Sequence, residues 1–255
     1  MGTITFNPDD LAATRTALGL TIGTDVLAPS GSGANLTALN ASNIASGTVP
    51  AARLGSGTAS GTTFLAGDGT YKTVSSGLAL LQTVTASNDA AVIIDATAGF
   101  DGTYDSLLIV VTGLIPASDG QNLSLQVSTA SNDPETGSSY FWSVTGQNQS
   151  DITSTASSAN AQIGINGSDA QAQIGSATGE SANYQIEFSH PDSTSIHKLF
   201  NWTGAWSRDD HTGDVTHVIG GGGFLSTTAI TKVRLFFGSG NVESGTVRLY
   251  GRTDS

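Results

Sequence analysis

The chain of 255 residues contains no cysteine. Disulfides and thiolate chemistry are excluded, as are metal sites built on sulfur. Basic residues are scarce: nine Lys and Arg stand against 21 Asp and Glu, for a formal net charge of −12. A nucleic-acid binder needs a basic footprint to displace counterions from phosphates, so no nucleic-acid partner is expected. Docking on an anionic membrane surface is disfavoured on the same ground. No run of about 18 apolar residues occurs, so no membrane insertion is expected. The first residues lack a basic stretch followed by an apolar one, so no secretion signal is expected. Only 12% of residues are charged, yet 38% are hydrophobic, enough to build a core and to argue against disorder throughout.

What is present is a β-pattern. From Leu78 to the C-terminus, eleven strand-like runs alternate with turn clusters: 78–86, 90–95, 104–115, 122–129, 139–146, 161–167, 183–190, 195–206, 215–225, 231–239 and 245–253. In several runs the apolar residues recur at every second position. Leu123, Leu125 and Val127 share a face, as do Ile186 and Phe188, Val233, Leu235 and Phe237, and Val247 and Leu249. Such alternation predicts antiparallel sheets with one face packed and one wet. Many short strands and no convincing helix predict a β-sandwich of jelly-roll type over 78–255. Residues 147–180 are polar and irregular and read as a long surface excursion with a hairpin at most.

The first third differs. Asn7 as N-cap, Pro8 at the first helical position, Asp9 and Asp10 in the first turn and Gly19 as the stop predict a short helix near 8–18. Its apolar Leu11, Ala12 and Leu18 need a partner surface, either a particle or the top of the following segment. Residues 1–34 form the expected attachment segment. Residues 35–77 are rich in Gly, Ser, Thr and Ala, with isolated apolar residues at Leu36, Leu39, Ile44, Val49, Leu54, Phe64 and Leu65. That spacing is neither helical nor strand-like. One chain alone would struggle to bury so thin a line, whereas three copies could bury it at a shared axis. The expectation is an extended, intertwined homotrimeric stalk. The plain alternative is a flexible linker. Gly67-Asp68-Gly69-Thr70 is read as a turn rather than as a metal loop, since one carboxylate is far short of a calcium site.

The succession TRTALGLTIGTDVLAP (14–29), NLTALNASNIASGTVPAARLG (35–55) and GSGTASGTTFLAGDGTYKTV (55–74) resembles the repeat-and-shaft regions of tailed-bacteriophage fibre and spike proteins. The resemblance covers about the first third; the remainder resembles their receptor-binding heads only in style. It implies a virion component made in the bacterial cytoplasm. Its N-terminus would be held by a capsid or tail protein, and its head would attach to host surface polysaccharide such as capsule or lipopolysaccharide. Tail fibre and head spike stay equally open. A ligand-free decoration protein is the alternative. A polysaccharide-depolymerising spike is a further one, though the regular coil repeat of such spikes is missing.

The densest candidate site is Trp202 to Asp214, WTGAWSRDDHTGD. Aromatic faces stack on sugar C–H surfaces, and charged or amide side chains bond hydroxyls, so Trp202, Trp206, Arg208, Asp209, Asp210 and His211 are the expected glycan contacts. Trp202 and Trp206 are four apart and share a face in a strand. The competing reading makes the tryptophans core residues and RDDHTGD a solvated hairpin tip. No enzyme activity, metal or cofactor is expected. The chain has no GxSxG elbow and no HExxH pair. Adjacent Asp209 and Asp210 would face opposite ways on a strand, and so do not flank one bond. Gly220–Gly223 follows a strand without opening a helix and is read as a bend or a point of close packing. In Tyr140-Phe141-Trp142, strand alternation turns one aromatic away from the other two.

Overall fold

The computed structural model describes residues 16, 18–19, 50–73, 77–148, 151–168, 173–208 and 215–252. By its internal contacts the chain divides into two units, Met1–Val74 and Ser75–Ser255. Of the expected helix, Thr16 is helical and Gly19 ends the turn with φ +70°, its N–H donating to the Thr16 carbonyl at 3.0 Å. Leu18 is 47% exposed. Leu11, Ala12 and the stretch 20–49 lie outside the described residues.

Within the first unit, a 3-10 turn at Ala51–Arg53 precedes a small antiparallel hairpin of β1 (Thr63–Leu65) and β2 (Tyr71–Thr73). Asp68 forms the turn as expected. Its carboxylate accepts from Thr70 N and Oγ1 at 3.1 and 2.6 Å and pairs with Lys72 at 2.6 Å. The Lys72 contact, more than the Thr70 bonds, holds its pKa below the ordinary aspartate value. Within the span of the expected stalk, residues 63–73 thus turn back on themselves as a hairpin. Local turn chemistry closes the hairpin with Gly69 at φ +77°. Leu54, Phe64 and Leu65 remain 49%, 48% and 42% exposed.

The second unit is built of antiparallel strands sharing one core. Among the described residues its twelve strands are β3 (Ala79–Asp89), β4 (Val92–Ile94), β5 (Ser106–Pro116), β6 (Leu123–Thr129), β7 (Tyr140–Gln147), β8 (Ile152–Asn160), β9 (Ile163–Gly164), β10 (Ala182–Ser189), β11 (Lys198–Ser207), β12 (Val215–Phe224), β13 (Ile230–Phe237) and β14 (Val242–Arg252). Eight form one sheet, in the order β3-β14-β5-β10-β11-β12-β7-β8, and four form the other, β4-β13-β6-β9. The split is eight against four, where a jelly roll has eight strands in all. One helical turn, α1 (Thr97–Phe100), also interrupts the expected all-strand pattern. The alternation is realised where it was read: Val127, Ile186, Phe188, Val233, Leu235, Val247 and Leu249 are all buried.

Two departures have clear causes. β8 is a strand, not an irregular excursion. Its ITSTASSAN sequence has no apolar stripe because it is the edge of the large sheet, held through its backbone to β7. β6 is buried on both faces, not one. Its polar face is covered and satisfied: Gln126 Nε2 donates to the Ala161 carbonyl (2.9 Å), Gln162 Nε2 to Ser124 Oγ (2.8 Å), and Ser128 Oγ to Asp133 Oδ1 (2.7 Å).

The sheets are tied by long polar-tipped aromatics. Tyr140 Oη accepts from Val127 N at 3.0 Å, and Trp202 Nε1 donates to the Ile165 carbonyl at 2.7 Å. The Trp142 ring lies against Gly164, where a methyl group would sit 3.0 Å from it. On β12, Gly220 pairs with Trp202, and Gly222 pairs with both Phe200 and Trp142. The Trp202 indole occupies the space of the missing Gly220 side chain: a methyl there would come within 2.2 Å of the ring. Gly220→Ala should therefore lower stability by about 1–3 kcal/mol, an overpacking cost read from the midpoint of urea unfolding.

Candidate ligand-binding groove

The expected 202–214 cluster divides. Trp202 and Trp206 do share a face, but it is the inner one: they are 3% and 2% exposed. Trp206 stacks near Tyr184, with ring centroids 6.2 Å apart. Neither indole can offer a face to a sugar arriving from solvent. Burial of large aromatics in a sheet this wide prevails over the ligand reading. Arg208 is also buried. Asp209, Asp210 and His211 lie outside the described residues. Tyr140 and Trp142 likewise point inward, leaving Phe141 half-buried on the outer face.

That outer face carries a different site. Alternation along β12 turns Val218, Gly220, Gly222 and Phe224 to the core, and Ile219, Gly221 and Gly223 outward. Strand register then lays out a grid. Asn201, Gly221 and Ser143 stand side by side on β11, β12 and β7. The next row is Leu199, Gly223 and Phe141, and the preceding one is Thr203, Ile219 and Thr145. With no side chain on the middle strand, a trough opens between columns about 9.6 Å apart, twice the strand spacing. Ile219, 60% exposed, stands at one end, and Leu225 lines the other. The groove has a volume of ≈ 530 Å³ and is walled by Phe141, Ser143, Leu199, Asn201 and Leu225. A second hollow of ≈ 300 Å³ lies beyond Asn201, bounded by Leu108, Gln185, Glu187 and Ile219.

Electrostatically the main groove is quiet. Among the described residues, no charged side chain lines it. Lys198, at the start of β11, turns inward and is buried; its ammonium donates to the carbonyls of Ser193 (2.6 Å), Ile196 (3.0 Å) and Thr227 (3.4 Å). Burial pushes its pKa below the ordinary lysine value, against the opposing pull of Asp192. Glu187, in register beside Asn201, is paired with Arg252 at 2.8 Å. Inside the core, burial raises the phenols of Tyr140, to about 12, and of Tyr184, well above the usual value. Neither is an acid or base for neutral pH. Among the described residues, no three His, Asp or Glu side chains gather as a metal would require.

Phe141, Ser143, Leu199 and Asn201 escape sequence reasoning because each is ordinary alone. The signal was the run Gly220–Gly223 itself. Placed in a strand, it must bare both faces, one for packing and one for a trough. No protein-family model, curated protein or solved structure matches this chain.

Because Trp206 is a core residue, Trp206→Ala should act as a cavity mutation and not as a binding mutation. A loss of about 3–5 kcal/mol in chemical unfolding is expected.

Proposed function

We propose that the protein is a fibre or spike subunit of a phage-like particle, and that its β-sandwich head attaches to polysaccharide on the host cell surface. The observation that carries the attachment reading is the open trough over Gly221. It combines apolar walls at Phe141 and Leu199 with amide and hydroxyl groups at Asn201 and Ser143. Concave sites that mix apolar surface with a few placed polar groups are where small ligands and glycan units bind. The fibre reading draws on the resemblance of residues 14–74 to phage shaft regions. The exposed Leu54, Phe64 and Leu65 of the hairpin unit favour a homotrimer, whose copies would cover them. An N-terminal attachment through Leu11, Ala12 and Leu18 completes this reading, with a capsid or tail protein as partner. A weak single-site affinity for sugar would be multiplied by three heads on one particle.

Sedimentation equilibrium of the full chain should give three times the chain mass; a monomer at micromolar concentration would remove the stalk reading. Fluorescently labelled protein should bind bacterial host cells saturably, with binding lost after enzymatic removal of surface polysaccharide. Failure to bind any candidate host would instead favour a decoration protein with no ligand, and release of reducing sugar would favour a depolymerising spike.

A further inference from the structure

We infer that the trough takes an uncharged sugar, with Asn201 and Ser143 binding its hydroxyls and Phe141 and Leu199 packing on its C–H surfaces. The inference rests on the glycan-attachment reading above and specifies the class of ligand.

Gly221 is the first argument. Glycine weakens a strand interior, so a strand glycine needs a reason. Its neighbours have one. A methyl at Gly220 would strike Trp202 at 2.2 Å, one at Gly222 the Phe141 carbonyl at 2.7 Å, and one at Gly223 the Leu199 side chain at 3.0 Å. At Gly221 the first atom met is Asn201 Oδ1 at 3.6 Å, an ordinary contact. No packing among the described residues requires Gly221 to be bare. Close approach of a ligand to the backbone does.

The second argument is hydrogen-bonding capacity. Neither the Asn201 amide nor the Ser143 hydroxyl bonds any described residue, although both flank Gly221 in register. An amide offers two donors and an acceptor, and a hydroxyl one donor and two acceptors, which suits the mixed donor–acceptor character of sugar hydroxyls.

The third argument is charge. Among the described residues the lining has no cation, since Lys198 is turned into the core and saturated by three carbonyls. The charged side chain beside Asn201, the carboxylate of Glu187, is already paired with Arg252 at 2.8 Å. In a chain of net charge −12, a uronate or phosphate group in this groove would meet repulsion and no partner. A neutral hexose meets neither.

The test is binding of the full chain to immobilised polysaccharides, neutral (dextran, mannan, galactan) and acidic (polygalacturonate, hyaluronate), at low and physiological salt. Expected is retention by at least one neutral polymer, insensitive to salt. Gly221→Val fills the trough and should weaken this binding by about tenfold or more, with thermal midpoint and circular dichroism unchanged. Asn201→Ala should weaken it by about tenfold, as loss of one or two hydrogen bonds would. Retention by acidic polymers alone overturns the inference. So does binding to neutral polymers or host cells that is unchanged in folded Gly221→Val. In both cases attachment to glycan still stands. Binding to neither polymers nor host cells overturns the attachment reading as well.

Discussion

The contact on which this β-domain depends is the crossing of the Trp202 indole over bare backbone at Gly220, ending in its hydrogen bond to the Ile165 carbonyl on the opposite layer. A buried indole N–H is costly to leave unpaired, and for Trp202 the acceptor lies across the gap between sheets. That sets the local spacing of the layers. Tyr140 repeats the device, with its hydroxyl on Val127 N, and Trp142 reaches Gly164 beside it. Three large aromatics from adjacent or neighbouring strands of the big sheet need room, and the glycines of β12 provide it.

The same run has a second consequence, because strand side chains alternate. Gly220 and Gly222 face the core and yield space to Trp202, Phe200 and Trp142. Gly221 and Gly223 face out; the bareness of Gly221 opens the trough, and the space over Gly223 is taken up by Leu199 and Leu225. One stretch of four residues therefore shapes both the packing and a concavity on the outer face of the sheet. Leu199 and Ile219 at the trough, and Leu80 on β3, are each more than half exposed, so apolar side chains reach the surface of the large sheet.

Much of the second unit was legible beforehand. All eleven strand runs correspond to strands, because residues such as Leu123, Ile186 and Val233 recur with period two. What escaped was set by surroundings. β8 carries no stripe, since an edge strand needs only backbone partners. The polar face of β6 looked wet, yet distant segments at 133 and 161–162 cover it. Trp202 and Trp206 were correctly placed on one face, but which face was core was not written in their spacing. The hairpin at 63–73 was hidden by a composition that also suits a linker, although its Asp68 turn was plain.

The sequence alone determined the chemistry that is missing and the period that is present. It has no thiols, few cations, alternating apolar residues, and turn residues where the chain reverses. These are local properties, and local sterics and hydropathy read them directly. Tertiary structure alone decided which alternate face became interior, and hence that two tryptophans pack a core while Phe141, Ser143, Leu199 and Asn201 line a groove. Those four residues come from two strands more than fifty positions apart in sequence, joined through β12. Their meeting depends on strand order and register, which are properties of the whole sheet and of no single segment.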